Sequence, residues 1–215
     1  MKKKLFAIFV AGGSGTRMGG DIPKQFIKLS GKPLLQLSIE KFLNACPDVH
    51  VITVLPERHF ETWKSLCSEC ALDCPQVLVA GGLTRFHSVK NALERVPDGA
   101  IVAVHDGVRP FVSEDLIRRM VERMSGCRAL IPVLPVMDTL RYRDLSLPDP
   151  DRSAIVRIQT PQMFLSEELK AAYGQAYDPS FTDDGSVARR YGIPLSFIDG
   201  ERHNIKITVP EDLIP

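Results

Sequence analysis

The sequence has no long apolar run and no excess charge of either sign. Hydrophobic residues make up 44% of its 215 residues, but the longest uninterrupted apolar runs fall far short of the roughly 20 residues that a membrane-spanning helix needs. The 27 Lys and Arg residues are balanced by 26 Asp and Glu residues, for a formal net charge of +1. We therefore expect no general attraction to nucleic acid or to a membrane, and an anionic ligand would need a local cluster of cations.

The first residues lack the pattern of a secretory signal peptide. Lysines precede the apolar run 5–10, which is too short for a signal's hydrophobic region and leads directly into glycines. A cytoplasmic location with reduced thiols is the resulting expectation. Cys67, Cys70 and Cys74 follow helical spacing, but no second Cys/His pair stands near them in sequence, which favours structural thiols over a zinc or iron–sulfur site.

Short apolar runs alternate with amphipathic segments. Predicted strands cover 5–10, 51–55, 77–80, 100–105 and 129–136, and predicted helices cover 34–44, 56–70, 86–95 and a segment capped by Ser113. Such alternation is typical of an α/β fold with a Rossmann-like, mostly parallel, doubly wound sheet. We expect a single domain over residues 1–215.

The alternation ends after residue 136. Two β-like runs, 138–143 and 153–158, flank the turn-rich stretch 144–151. This pattern predicts a β-hairpin arm over about residues 136–158 that projects from the domain. Because an isolated hairpin has little core of its own, we expect the arm to pack on a partner.

A glycine-rich loop, residues 11–25, follows the first predicted strand. Its glycines allow backbone N–H groups to converge on an anion. The loop is not a P-loop, because Asp21 stands where lysine is required, and Met18 replaces the third glycine of a dinucleotide fingerprint, which disfavours a NAD-dependent oxidoreductase. Arg17 and Lys24 flank the loop and supply the fixed positive charge that a triphosphate needs.

Eight blocks of sequence, in order, carry a resemblance to a known family. They are Gly12 to Met18 with Pro23 to Phe26, Gly81-Gly82 with Arg85 and Ser88, His105 to Pro110, Asp138-Thr139, Arg152, Thr160 to Gln162, Thr182 to Asp184, and Asn204 to Thr208 ahead of Pro210 to Leu213. The chain resembles the sugar-phosphate nucleotidyltransferases, and among them the 2-C-methyl-D-erythritol 4-phosphate cytidylyltransferases. The resemblance spans nearly the whole chain.

The resemblance implies an activity and an assembly. The chain would transfer CMP from CTP to 2-C-methyl-D-erythritol 4-phosphate and release pyrophosphate, a step of non-mevalonate isoprenoid biosynthesis. It would use Mg²⁺, and it would form a homodimer in which the arm crosses to the partner. Thr139 or Arg152 could then serve the partner's active site.

The resemblance also implies roles for individual residues. The catalytic set would be Arg17, Lys24, Asp106 and Lys206. Arg17 and Lys24 would stabilise the transition state at the α-phosphate, and Asp106 would hold the metal. The nucleotide would be bound by Ala11, Gly12, Gly13, Ser14, Gly15, Gly81, Gly82, Ser88 and Asp106. The acceptor would be bound by Gly107, Arg109, Thr139, Arg152, Thr160, Thr182 and Lys206.

Each of these residues also has a structural interpretation. Asp106 ends an apolar strand, at the edge where α/β sheets bind ligands, but it could simply form an ion pair with Arg109. Lys206 and Arg152 could be solvated surface cations. One of the two aspartates at 183–184 is expected to cap a helix.

Two other functions stay open at the level of sequence. The chain could be a ribitol-5-phosphate cytidylyltransferase, which shares most of these motifs, or a catalytically silent nucleotide-binding homologue. The joint presence of Arg17, Lys24, Asp106 and Lys206 favours an active enzyme. No general base is needed, because an oxygen of the acceptor's own phosphate is already ionised near neutral pH.

Overall fold

A central sheet with helices on both faces organises the chain. The computed structural model describes residues 3–13, 22–144 and 146–213. Predictions that concern Ser14, Gly15, Arg17, Met18 and Asp21 lie outside the described residues.

The strands of the described residues are β1 (Leu5–Val10), β2 (Lys28–Leu29), β3 (Lys32–Pro33), β4 (His50–Leu55), β5 (Gln76–Ala80), β6 (Ile101–Asp106), β7 (Ala129–Pro135), β8 (Val156–Ile158), β9 (Gln162–Leu165) and β10 (Ser196–Asp199). The helices are α1 (Leu34–Ala45), α2 (Phe60–Glu69), α3 (Arg85–Leu93), α4 (Glu114–Arg123), α5 (Ser166–Ala172) and α6 (Asp184–Tyr191).

The main sheet is mostly parallel, which confirms the predicted fold class. Within the described residues its order is β10-β7-β9-β6-β1-β4-β5, and β8 pairs with β7 off this path. Strands β6, β1, β4 and β5 are mutually parallel. Strand β9 lies between β6 and β7 and is antiparallel to both. Strands β2 and β3 form a separate antiparallel hairpin.

Both faces of the sheet are buried, which explains why its central strands are continuously apolar. In β1, Leu5, Ala7 and Phe9 join one hydrophobic cluster, while Phe6 and Ile8 join the other. Helices α1, α2 and α4 cover the first face. Helices α3, α5 and α6 cover the second. This layering leaves the ends of the strands as the place for a binding site.

The arm differs in part from its prediction. Strand β8 pairs antiparallel with the last three residues of β7. An antiparallel pair is therefore present, but the predicted first strand at residues 138–143 is not a strand. Because β7 remains extended through Pro135, its end takes the pairing that residues 138–143 were predicted to make. The described residues that connect β7 to β8 are turns and irregular backbone, with a 3-10 turn at Arg152–Ala154.

Helix length and thiol pairing add two further observations. Among the described residues, none of the helices combines the length and the apolar character that a membrane crossing requires. All five cysteines lie in the described part of the chain, and no disulfide joins any two of them.

Candidate active site

A large cavity opens where β1, β4, β5 and β6 end. These parallel strands finish at the same edge of the sheet, so the loops that follow them meet there. The cavity has a volume of about 570 Å³. The described residues that line it are Val10, Ala11, Gly12, Gly13, Lys24, Gln25, Pro56, Glu57, Arg58, Gly81, Gly82, Leu83, Thr84, Arg85, Ser88, Asp106, Val108 and Lys206. We call it the larger cavity.

A smaller cavity of about 300 Å³ adjoins the larger one. The described residues that line it are Arg85, Asp106, Arg109, Ile158, Gln159, Thr160, Gln162, Thr182, Asp183 and Lys206. Arg85, Asp106 and Lys206 belong to both walls. The site therefore has two compartments that share a charged boundary, as a reaction between two ligands requires.

Asp106 is the carboxylate at that boundary. Its Oδ2 lies 3.1 Å from Arg109 Nε and 3.2 Å from Lys206 Nζ, and its Oδ1 lies 4.0 Å from Arg85 Nε. Burial alone would disfavour the charge, but Arg85, Lys206 and Arg109 together outweigh burial and hold the pKa of Asp106 well below its usual range. Asp106 is thus ionised, and the cations around it exceed its charge.

A hydrogen-bonded chain fixes the backbone of Asp106. Its N–H donates to Thr160 Oγ1 at 3.1 Å, and Thr160 Oγ1 lies 3.1 Å from His105 Nδ1. His105 Nε2 lies 3.2 Å from the carbonyl oxygen of Arg109. A carbonyl only accepts, so Nε2 carries the proton and Nδ1 accepts from the Thr160 hydroxyl. Burial lowers the pKa of His105 to about 4, consistent with a neutral ring that has a structural role.

Lys206 is presented by a segment that is anchored on both sides. Ile207 is fully buried, and its N–H donates to the carbonyl of Val108 at 2.9 Å. Asn204 is also buried, and its side chain donates to the carbonyl of Thr160 at 2.9 Å. The Asn204 carbonyl accepts from Arg109 Nη1 at 2.9 Å. With Asn204 and Ile207 fixed on either side, the exposed Lys206 side chain is directed to the boundary, where its Nζ lies 3.2 Å from Asp106 Oδ2.

The glycine pair after β5 forms a wall of backbone. The N–H of Gly82 donates to Ser88 Oγ at 3.1 Å, and Ser88 Oγ donates to the carbonyl of Thr84 at 3.0 Å. A Cβ on Gly82 would lie 2.4 Å from the Cβ of His87, so no larger residue fits without movement. Ser88 thus holds the shape of this wall whether or not it also contacts a ligand.

Arg85 lines both cavities, although its sequence motif predicted no role for it. Its Nη1 and Nη2 donate to the two oxygens of Asp184 at 3.0 and 2.7 Å. Asp184 is fully buried and also accepts from the Tyr173 hydroxyl at 2.6 Å. Burial first, and then the charge of Asp184, raise the pKa of Tyr173, which remains a hydrogen-bond donor. The available signal was the position of Arg85 in the first turn of a helix that begins shortly after the glycine pair.

The structure brings most of the predicted site residues together. Ala11, Gly12, Gly13, Lys24, Gly81, Gly82 and Ser88 line the larger cavity, Arg109, Thr160 and Thr182 line the smaller one, and Asp106 and Lys206 line both. Gly107 lines neither, because it packs where a Cβ would lie 2.8 Å from Leu35 Cδ1. Thr139 and Arg152 are exposed in the arm and line neither cavity.

The donor set at the boundary fits a magnesium ion that phosphates help to bind. In the described part of the chain, no three His, Cys, Asp or Glu side chains are grouped closely enough to hold a metal ion by themselves. Mg²⁺, however, is commonly held by one or two carboxylates together with substrate phosphates and water. Asp106 supplies one such carboxylate, and within the described ranges the ion-pair contact of its Oδ1 is the 4.0 Å one with Arg85 Nε.

The fold and the two compartments define a nucleotide-binding α/β enzyme of the transferase kind. Comparison with known proteins gives the family. The family model described as 2-C-methyl-D-erythritol 4-phosphate cytidylyltransferase matches residues 5–215. The chain belongs to this family of nucleotidyltransferases.

Individual relatives match this chain over nearly their whole lengths. The protein of this name from Bacteroides thetaiotaomicron is 46% identical over 211 residues, covering 98% of this chain and 96% of the relative. The one from Porphyromonas gingivalis is 45% identical, covering 99% and 96%.

Solved structures are similar across the whole fold. The 4-diphosphocytidyl-2C-methyl-D-erythritol synthase of Anaerococcus prevotii has a TM-score of 0.83 at 27% identity, covering 99% of this chain and 94% of its own. The Francisella tularensis enzyme has a TM-score of 0.80 at 29% identity, covering 98% and 96%.

Proposed function

We propose that the protein transfers CMP from CTP to 2-C-methyl-D-erythritol 4-phosphate, giving 4-diphosphocytidyl-2-C-methyl-D-erythritol and pyrophosphate. The observation that carries this proposal is the charged boundary between two adjoining cavities, formed by Arg85, Asp106 and Lys206. Family membership supports the identity of both substrates.

Each substrate has a compartment that suits it. The larger cavity begins at the glycine loop and at the Gly81-Gly82 wall, whose backbone can approach a base and a ribose closely. The smaller cavity offers Arg109 and Thr182 as donors suited to a polyol and its phosphate, and its wall includes Thr160, whose hydroxyl hydrogen is already donated to His105. We therefore place CTP in the larger cavity and the acceptor in the smaller one.

The reaction needs positioning and charge more than proton transfer. A phosphate oxygen of the acceptor attacks the α-phosphorus of CTP, and the bond from that phosphorus to the bridging oxygen of pyrophosphate breaks. The attacking oxygen is already ionised, so no general base is required. Catalysis then rests on holding the groups in line and on stabilising the charge that builds at the α-phosphate. Lys24, with Arg17, is proposed to supply that stabilisation.

Asp106 is proposed to hold Mg²⁺ together with phosphate oxygens of CTP. When bound, the ion would neutralise phosphate charge and assist the departure of pyrophosphate. The protein's own part is to keep the Asp106 carboxylate ionised and oriented, which Thr160 and the surrounding cations do.

The arm is proposed to make a homodimer. Its exposed apolar side chains include Met137, Tyr142, Leu147 and Ile158. Exposed apolar side chains are unfavourable on an arm that is surrounded by water, whereas an interface would bury them. Thr139 and Arg152 would then complete the acceptor compartment of the partner rather than that of their own chain.

Pyrophosphate release tests the proposal. The protein is incubated with Mg²⁺ and CTP plus 2-C-methyl-D-erythritol 4-phosphate, and in parallel with ribitol 5-phosphate and with UTP in place of CTP. Release that depends on CTP and methylerythritol phosphate is the expected result. Turnover of ribitol phosphate alone would contradict the acceptor, and no release from folded protein with any pair would contradict the activity.

A further inference from the structure

Arg85 lines both cavities, as Asp106 and Lys206 do. It begins α3, directly after the N-cap Thr84, and its side chain reaches the wall that the two cavities share. Resting on the function proposed above, we infer that Arg85 is a further substrate-contacting residue, which binds an oxygen of the reacting phosphates where nucleotide and acceptor meet.

The way Arg85 is held leaves donors for a ligand. A guanidinium has five N–H donors, and Asp184 accepts from one hydrogen on each of Nη1 and Nη2. Nε faces Asp106 Oδ1 at 4.0 Å, which is too long for a hydrogen bond. The side chain of Arg85 is 28% exposed whereas that of Asp184 is fully buried, so one side of the guanidinium is anchored and the other opens on the cavities.

An ion pair of this kind is an expensive way to stabilise a fold. Burying two charges costs about as much as their attraction returns, and well-packed apolar residues usually do as well or better. The Tyr173 hydroxyl adds a third polar group to the anchor and restricts Asp184 further. The arrangement is suited to orienting the guanidinium for a ligand, because the guanidinium is planar and anchoring one side fixes the direction of its remaining donors.

The charge balance at the boundary supports a phosphate as the ligand. Asp184 neutralises Arg85, and Asp106 faces Arg109 and Lys206. The boundary therefore keeps a net positive charge before any ligand binds. A contact made at this point involves both substrates, whereas a contact deeper in the larger cavity would involve the nucleotide alone.

Steady-state kinetics of Arg85→Lys give the first test. The substitution keeps the charge but removes the planar fork, and kcat/KM should fall for both CTP and the acceptor by about 10²-fold, the scale of losing one oriented donor. Arg119→Lys is the matched control, since Arg119 forms an exposed pair with Asp115 and its change should leave both constants within twofold. A folded Arg85→Lys enzyme with unchanged constants, or with a change confined to the KM for CTP, would overturn the inference.

A double variant separates contact from stability. Arg85→Gln with Asp184→Asn removes both charges and leaves two amides that can hydrogen-bond each other, so no buried charge is left alone. A purely structural role predicts normal kcat/KM in this variant once it folds. We expect the loss for both substrates to persist, measured on protein whose urea unfolding midpoint has been determined.

Binding of CTP keeps this inference distinct from the proposed activity. If the wild-type protein bound CTP but turned over no acceptor, the activity would be contradicted. Calorimetric titration with CTP and Mg²⁺ would then decide the role of Arg85. Weaker binding in Arg85→Lys than in Arg119→Lys supports the contact with the nucleotide phosphates that the inference requires, and equal binding in the two variants overturns the inference.

Discussion

Lys24 shows how local backbone can direct a single side chain into the larger cavity. It opens the 3-10 turn Lys24–Phe26 directly after Pro23, whose fixed φ sets the direction of the turn. Its neighbours Gln25 and Phe26 are buried, which ties the turn to the core. Lys24 itself lines the larger cavity, with its Cε 3.7 Å from the position that a Cβ on Gly13 would take.

Replacing Lys24 with alanine should lower kcat more than it raises the KM for CTP. Because Lys24 is proposed to meet charge that grows in the transition state, the loss in kcat should be about 10²- to 10³-fold. Lys64→Ala, which removes an exposed lysine paired with Glu61, is the matched control. Steady-state pyrophosphate release measures both. Near-normal kcat in a folded Lys24→Ala enzyme would remove Lys24 from the catalytic set.

Cys67 offers a test at residue scale that does not involve the active site. Burial raises the pKa of its thiol to about 11, and its Sγ accepts a 3.6 Å hydrogen bond from the Gln76 amide. Only the thiolate reacts with iodoacetamide. The alkylation rate of Cys67 should therefore keep rising with pH up to about 11.

A cysteine peptide with a thiol pKa of about 8.5 is the control, and its rate should level off above that pH. Peptide mass spectrometry assigns the label to Cys67. A plateau in its alkylation rate below pH 10 would contradict the raised pKa that partial burial of the Cys67 thiol predicts.

At the scale of elements, the strands that the sequence predicted are those with continuous apolar runs. β1, β4 and β6 are buried on both faces. Such strands can be identified from their own apolar residues, without knowing which strands they pair with. β9 was not predicted. Its four residues pair antiparallel between two strands of the sheet, and the local sequence contains no pattern that indicates such an insertion. The run 138–143 alternates like a strand, but β8 already pairs with the end of β7. Pairing is a long-range property that the alternation of one segment does not determine.

Two adjacent aspartates at the start of helix α6 have different roles: one caps the helix, and the other forms an ion pair. Asp183 is the N-cap and forms a capping box with Ser186, and its Oδ2 also accepts from Gln162 Nε2 at 2.7 Å. The prediction that one of the pair would cap is confirmed. Asp184 instead binds Arg85, a contact across 99 positions that sequence spacing does not reveal.

Removing the cap should destabilise the fold measurably. Asp183→Ala loses the cap and leaves the Gln162 amide without its acceptor, so the free energy of unfolding should fall by about 1–3 kcal/mol. Asp183→Asn retains a good capping oxygen and should lose less. Urea unfolding gives both values, with Asp48→Ala in an exposed turn as the control. Equal losses in the alanine and asparagine variants would argue against the cap as the source.

At the scale of the whole molecule, the open question is whether the arm contributes residues to the smaller cavity of its own chain or of a partner. Arg109, Thr160 and Thr182 line the smaller cavity, whereas Thr139 and Arg152 lie in the exposed arm. The sequence motifs identify all five alike. The motifs do not indicate which of the five residues belong to one site, because in the proposed dimer that would depend on how the two chains pack.

Subunit complementation answers this question. We expect Lys24→Ala and Arg152→Ala each to be nearly inactive alone. If Arg152 serves the partner's site, a mixed dimer has one site with both substitutions and one site with neither. Random exchange of subunits should then restore about a quarter of wild-type activity, since half of the dimers are mixed and each has one intact site.

The exchange is run after unfolding and refolding the two variants together, with sedimentation to establish the dimer. Each variant refolded alone is the control and should stay inactive. If Arg152 serves its own chain's site, every site in the mixture carries one substitution, and refolding together restores nothing. Because both variants are present in either case, the difference in recovered activity depends only on whether the arm crosses between chains.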